Sequence, residues 1–323
     1  MKWLFASAIL IISIISPSNI LHGQDIEKRT IRVGVASMIT PVTEFNSLRK
    51  NINGGMKSIS LAVIPRDNPR IAYEKYQPLI DYLNEVTGLK IELILKKSYE
   101  ETIEGLGNGE IDIALLTPLP YLEAHAHHGA ISLLKHLTDR SEPFYRSAII
   151  TRKESPIENL SQLKGKSFAF ASTMSTSGNL IPRYMLAEAG IHLKDLREYK
   201  NFDYHDTVVK WVLKGKYDAG AVRETVAKKY APFGLKMIAL SEPIPTGPLV
   251  VRKGVSPKVM NLIKDAFLRL SISDKGKKIL KMLDPDLMGG FIEAHDSDYE
   301  GIRKKINDVP NTCGKGCHPK IKL

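Results

Sequence analysis

The sequence predicts an α/β fold, and three observations support this prediction. The chain has 323 residues, of which 43% are hydrophobic and 25% charged, as in soluble globular proteins large enough for two domains. After the N-terminal segment, short apolar runs of strand character alternate with longer runs of helical periodicity. Glycines close several of the helical runs, so successive strand–helix units are expected along the chain.

The N-terminal segment has the layout of a secretory signal peptide. Lys2 is followed by the apolar run "WLFASAILIISII", then by the turn-prone "SPSN" and the polar "HGQ". We therefore expect residues 1–24 to be a signal peptide, with an uncleaved N-terminal anchor as the alternative. No cysteine lies near the junction, and no later run is apolar enough to cross a bilayer. The mature protein is expected to be exported, to the periplasm or an equivalent compartment, where its two cysteines meet oxidising conditions.

Two early segments, "TIRVGVAS" and "SISLAVIP", are both strand candidates. The second is the better first strand, because apolar residues at helical spacing follow it directly and end at Gly88. The first is then expected to be an added edge strand or an extension. Next come a strand in "LKIELIL", a short helix in "YEETIEGLGNG" and a buried strand in "EIDIALL".

The second half continues the alternation. Strands are predicted in "YRSAIITR", "KSFAFAS", "YDAGAV" and "GPLVVRKG", and a helix in "DTVVKWVLKG". A further helix in "SPKVMNLIKDAFLRLS" begins with Ser256 at the N-cap and Pro257 at the first helical position.

The segment "ASTMSTSGNLIPR", residues 171–183, places several hydroxyl side chains where a helix is predicted to begin. In one interpretation these residues only cap the helix, since serine and threonine are good N-caps. In the other, the hydroxyls, the free backbone N–H groups and the helix dipole together form an anion-binding site. Local sequence leaves both interpretations open.

Five motifs occur together in the order typical of one family: "YEETIEGLGNGEIDIALLTP", "EPFYRSAIITRKESPIENLSQLKGKSFAF", "STSGNLIPRYML", "DYHDTVVKWVLKGKYDAGAV" and "SEPIPTGPLVVRKG". From about Ser58 to Tyr299 the chain resembles the phosphate, phosphite and phosphonate periplasmic substrate-binding proteins of ABC importers, of the phosphonate-binding type. The resemblance implies a two-lobed periplasmic binding protein fold of the class II type, with a ligand cleft between the lobes. The implied lobes are residues 25–145 with 247–306, and residues 146–246, followed by a tail at 307–323.

The resemblance also implies which residues bind ligand. The "STS" triplet would hold the phosphonate oxygens, and two tyrosines and one histidine match family ligand residues. The alternatives are packing for the tyrosines and capping for the histidine. The implied set is Tyr99, Tyr145, Ser175, Thr176, Ser177, His205 and Glu224.

Family members that bind aminoethylphosphonate pair its amine with two carboxylates. Glu224 lies near the first of these positions but one residue out of register, and Gly247 stands where the second carboxylate would be. Because a buried ammonium needs paired anions, the implied ligand is phosphite, phosphate, methylphosphonate or another small anion.

The other residue patterns in the chain do not indicate a metal site, an enzyme or a nucleic-acid interface. His125, His127 and His128 lie close together without an evident carboxylate or cysteine partner, so no metal site is predicted. No catalytic motif appears, and an enzyme is not expected. The net charge is +11, but the basic residues are scattered, which argues against nucleic acid and is compatible with an anionic ligand, an anionic membrane face or an acidic partner.

The C-terminal segment "NTCGKGCHPKIKL" contains Cys313, Cys317 and His318. It resembles a longer-spaced form of the c-type haem attachment pattern, with a local disulfide or an inter-chain bond as alternatives.

Ligand binding itself is expected to need no cofactor. The sequence thus predicts a monomeric binding protein that delivers an oxyanion to an ABC permease. The alternatives are that the same fold acts as a sensor for a membrane receptor, or that it is a haem-bearing electron carrier.

Overall fold

A computed structural model describes residues 37–50, 58–66 and 68–313. The predicted signal peptide, nearly all of the "TIRVGVAS" candidate strand, Cys317 and His318 lie outside these residues.

The described strands follow the chain in this order: β1 (Ile59–Val63), β2 (Ile91–Ile94), β3 (Ile113–Leu115), β4 (Ile131–Leu137), β5 (Phe144–Tyr145), β6 (Ser147–Arg152), β7 (Ser167–Phe170), β8 (Glu198–Asn201), β9 (Ala219–Arg223), β10 (Leu235–Leu240), β11 (Ile244–Pro245), β12 (Pro248–Val251) and β13 (Gly290–Glu293). The α-helices are α1 (Val42–Lys50), α2 (Pro69–Thr87), α3 (Tyr99–Asn108), α4 (Pro118–His128), α5 (Ile181–Glu188), α6 (His205–Leu213), α7 (Glu224–Tyr230), α8 (Pro257–Arg269), α9 (Asp274–Leu280) and α10 (Glu300–Cys313).

The first lobe is built on a six-stranded mixed sheet of order β13-β4-β12-β3-β1-β2. Strands β1, β2 and β3 are parallel, and β12 adds antiparallel to β3. Helix α2 begins where the Asn68 side chain accepts a hydrogen bond from the Ile71 N–H, and it ends at Gly88, whose φ of 71° suits glycine. Its apolar face packs with that of α8 and with the sheet in one buried core.

The second lobe is built on a five-stranded sheet of order β10-β6-β9-β7-β8. Its three central strands, β6, β9 and β7, are almost entirely buried, as expected for strands covered on both faces, whereas the edge strands β8 and β10 are partly exposed. Helix α6 packs against β9.

A two-stranded antiparallel ribbon, β5 with β11, lies at the two passages of the chain between the sheets. The chain enters the second sheet directly after β5 and returns to the first sheet directly after β11. The two-lobed architecture predicted from the family resemblance is confirmed.

The C-terminal helix α10 follows the last strand of the first lobe but packs against α5 of the second. There the Lys305 ammonium lies 3.9 Å from the centre of the Tyr184 ring. The predicted boundary at residue 306 falls inside this helix. Within residues 37–50, 58–66 and 68–313, the structure contains no helix with the length and apolar character of a membrane span.

Candidate functional site

The hydroxyl-rich segment folds into a helical turn, Thr176–Leu180, that leads directly into α5. Ser175 caps this turn, because its Oγ accepts a hydrogen bond of 3.0 Å from the Gly178 N–H. Ser175, Thr176 and Ser177 are each at most 3% exposed. Capping therefore occurs, but at a buried position between the two sheets rather than on the surface.

Thr176 connects the two lobes. Its Oγ1 accepts a hydrogen bond of 3.0 Å from the backbone N–H of Leu119, in the first turn of α4. This N–H has no partner within its own helix, and the Thr117 side chain at the N-cap makes no capping hydrogen bond. The Thr176 hydroxyl keeps its own hydrogen to donate, because a hydroxyl can donate and accept at once.

His205, the first residue of α6, lies behind Ser175. Its Nδ1 accepts a hydrogen bond of 3.3 Å from the Arg223 N–H, which places the ring proton on Nε2. That nitrogen lies 3.3 Å from the Ser175 Oγ and donates to it. Burial, together with the charges of Arg223 and Arg66, lowers the pKa of His205 to about 3. His205 is thus a neutral donor.

Two tyrosines lie close by: Tyr145 near Ser177, and Tyr99 at a small pocket with Ser172 and Thr173, just before the turn. Tyr99 begins α3, which Ser98 caps, and Tyr145 lies in the β5 strand of the ribbon. Burial raises the pKa of both hydroxyls, so both remain protonated donors. The Tyr145 hydroxyl is buried with no hydrogen-bond partner of normal geometry in the described chain, although Ser177 lies close enough to affect its pKa.

A cavity of about 210 Å³ adjoins His205. Charged side chains that the sequence analysis did not identify dominate its lining. Arg223 pairs with Asp286 and also lies 5.1 Å from the centre of the Tyr145 ring. At the same cavity, Lys75 pairs with Asp284 at 2.7 Å.

Glu224 and Gly247 are the two positions that correspond to the amine-binding carboxylates of other family members. Neither position offers a carboxylate to the cavity. The Glu224 carboxylate pairs with Lys228 at 2.5 Å, and Glu224 does not line the cavity, whereas its neighbour Arg223 does. At Gly247 a Cβ atom would lie 1.9 Å from the Leu116 carbonyl oxygen. This contact leaves no room for a side chain at residue 247 unless the backbone moves.

A signal for two of the missed residues is present in the sequence. Arg66 follows the predicted strand "SISLAVIP", and Arg223 follows the predicted strand "YDAGAV". Side chains just beyond strand ends commonly form ligand sites in α/β folds. Asp284 and Asp286 carry no such signal, because the segment between α9 and β13 has no strand or helix pattern that places it near α6.

The three histidine side chains of α4 do not converge on one point. In the described chain no group of three histidine, cysteine or acidic side chains could hold a metal ion. Each ring faces a different carboxylate: His125 faces Asp296 at 3.9 Å, His127 faces Glu123 at 3.5 Å and His128 faces Glu104 at 3.8 Å. Cys313 is the last residue of α10, and the haem and disulfide hypotheses for Cys313, Cys317 and His318 stay predictions.

Two α/β lobes joined by a short ribbon, with a buried hydroxyl-rich turn between them, define a two-lobed periplasmic binding protein. Residues 61–299 match the family of the periplasmic substrate-binding proteins of phosphonate ABC transporters. The chain belongs to this family, whose members are substrate-binding proteins of transport systems.

Individual relatives are distant. The chain is 26% identical over 273 residues to the phosphate-import protein PhnD of Mycolicibacterium smegmatis, covering 77% of this chain and 85% of that protein. It is 26% identical over 239 residues to the phosphonates-binding periplasmic protein of Escherichia coli, covering 70% of each. The solved structure of PhnD1 from Prochlorococcus marinus, in complex with methylphosphonate, superposes with a TM-score of 0.71 at 21% identity, covering 78% of this chain and 98% of that one.

Proposed function

We propose that this protein captures a small tetrahedral oxyanion, a phosphonate, phosphite or phosphate, and delivers it to the permease of an ABC importer. The observation that carries the proposal is the buried turn Ser175–Ser177 between the lobes, beside the neutral donor His205 and the unpartnered hydroxyl of Tyr145. Helix N-termini bind such anions through free N–H groups and the helix dipole, and neutral hydroxyl donors add hydrogen bonds. The single N–H of the neutral His205 ring is donated to the Ser175 hydroxyl, so His205 supports the turn from behind.

In the proposed site, the donors approach the anion from both lobes and from the ribbon. The Thr176 and Ser177 hydroxyls and the N–H groups of the turn contact the anion from the second lobe, and Tyr99 contacts it from the first. Tyr145 contacts it from the ribbon. The anion therefore stabilises the closed arrangement of the lobes, in which Thr176 also accepts the hydrogen bond from Leu119.

The ribbon β5–β11 is the proposed hinge, with lobe boundaries near Tyr145 and Thr246. Two adjacent connections permit one lobe to rotate against the other with few other changes. We also propose that residues 1–24 are removed on export, that the protein is a monomer and that it binds its ligand without any cofactor. The ligands named for the relatives, phosphate, phosphonates and methylphosphonate, support the choice of anion.

Calorimetry in phosphate-free buffer, with phosphite, phosphate and methylphosphonate as titrants, tests the proposal. A hydrogen bond to a charged group contributes about 1.5–3 kcal/mol, so Ser177→Ala should weaken binding by roughly ten- to a hundredfold. Ser161→Ala, an exposed serine of the same lobe, is the matched control and should bind as the wild type does. Equal affinity of Ser177→Ala and wild type would reduce the turn to a helix cap, and no binding of any of the three anions would refute the proposal.

A further inference from the structure

Among the described residues, the cavity beside His205 contains more positive than negative charge. Four cationic side chains and three carboxylates line it among the described residues: Arg66, Lys75, Arg223 and Lys229, with Asp206, Asp284 and Asp286. The ion pairs Lys75–Asp284, Arg223–Asp286 and Lys229–Asp206 account for all three carboxylates. Arg66 remains as the cation without a carboxylate partner in the described chain.

Two guanidinium N–H donors at this cavity are also unused. Nη1 of Arg66 and Nε of Arg223 are buried and have no hydrogen-bond partner among the described residues. Arg223 is only 6% exposed, so water does not readily satisfy its donor. A buried guanidinium donor without a partner costs free energy, and a carboxylate or phosphoryl oxygen is the acceptor that best matches it.

One buried acceptor at this cavity would instead suit a positively charged ligand. Oδ1 of Asp286 has no partner and could accept a hydrogen bond from an ammonium group. The charge of Asp286 is already balanced by Arg223, however, so an ammonium would meet the surplus charge of Arg66. The two positions considered for amine recognition add no carboxylate, because Glu224 pairs with Lys228 and Gly247 has no side chain.

We infer that Arg66 and Arg223 form a second anion-binding subsite next to the Ser175–Ser177 turn. The ligand class is then a phosphonate or phosphate that carries a second acidic group, such as a carboxylate, on its organic part. His205 connects the two subsites, since it donates to Ser175 and also lines the cavity. The inference rests on the proposed function, because the first acidic group must occupy the turn for the second to reach the arginines.

Three phosphonates of similar size test the inference by calorimetry: phosphonoacetate with an anionic tail, ethylphosphonate with a neutral tail and 2-aminoethylphosphonate with a cationic tail. The wild type should bind phosphonoacetate about tenfold or more tightly than ethylphosphonate, and 2-aminoethylphosphonate no more tightly than ethylphosphonate. In Arg66→Gln the ratio of the phosphonoacetate and ethylphosphonate affinities should fall toward one. Arg70→Gln removes the same charge from an exposed side chain nearby and should keep the wild-type ratio.

The outcomes separate the two proposals. If ethylphosphonate binds and phosphonoacetate binds no better, the second subsite is refuted while the proposed function stands. A preference for 2-aminoethylphosphonate would also refute it, because Asp286 would then be the group that recognises the tail. If Arg66→Gln weakens both compounds equally, Arg66 belongs to the first subsite and the inference is wrong. Failure of every phosphonate to bind would overturn the proposed function and this inference with it.

Discussion

Two buried histidines predict a loss of stability when the pH falls from 7 to 5. His205 accepts from the Arg223 N–H, and His136 accepts from the Gly247 N–H at 3.2 Å while its Nδ1 donates to the Asp286 carbonyl. Burial lowers the pKa of each ring from 6.5 to about 3. Both rings are therefore neutral in the native protein at pH 5, whereas both are protonated in the unfolded chain.

The sign and size of the effect follow from these pKa values. Because the unfolded state binds more protons below pH 6.5, the stabilisation is fully present above that pH and is lost as the pH falls toward 3. At pH 5 the loss is about 2 kcal/mol for each histidine, or about 4 kcal/mol for the pair. This pH range lies above the usual titration range of carboxyl groups, so it reports mainly on histidines.

Urea denaturation of the ligand-free protein, followed by circular dichroism at pH 7, 6 and 5, measures this loss. His205→Gln and His136→Gln should each remove about half of the pH dependence, because an amide can donate and accept but does not titrate. His127→Gln, at an exposed position, controls for the loss of a histidine as such. A free energy of unfolding that is equal at pH 7 and pH 5 in the wild type would refute the reasoning.

Three further changes test the site. Thr176→Val leaves the α4 backbone N–H unpaired in the closed state at a cost of about 1–3 kcal/mol, so calorimetry should show ligand affinity lowered about five- to a hundredfold, with Thr176→Ser close to wild type. Arg223→Met leaves Asp286 buried without its cation and should lower the free energy of unfolding by about 3–5 kcal/mol in urea, and adding Asp286→Asn should restore part of that loss. Gly247→Ala places a methyl group 1.9 Å from the Leu116 carbonyl oxygen, and such overpacking should cost about 1–3 kcal/mol and lower the melting temperature. An unchanged melting temperature would show that this backbone moves freely.

Local sequence was sufficient for much of the fold. The strands in "EIDIALL", "KSFAFAS" and "YDAGAV" and the helix after Ser256 are all present, since apolar periodicity and helix caps depend on residues a few positions apart. The order of motifs also identified the family. Strand β4 was not predicted, because its residues "ISLLKHL" form a strand through pairing with β12 and β13, more than a hundred residues away in the chain.

The candidate site likewise combines features that local sequence predicts with features that only the tertiary structure shows. The sequence alone singled out the hydroxyl-rich turn, because a cap and a helix start are encoded by adjacent residues. Only the tertiary structure showed that Thr176 accepts the Leu119 N–H of the other lobe, and that Arg223 pairs with Asp286. Those contacts join residues 57 and 63 positions apart, and each depends on how the two sheets and their connections pack. The charge of the cavity is therefore a property of the folded chain, since burial and distance decide which charges are paired.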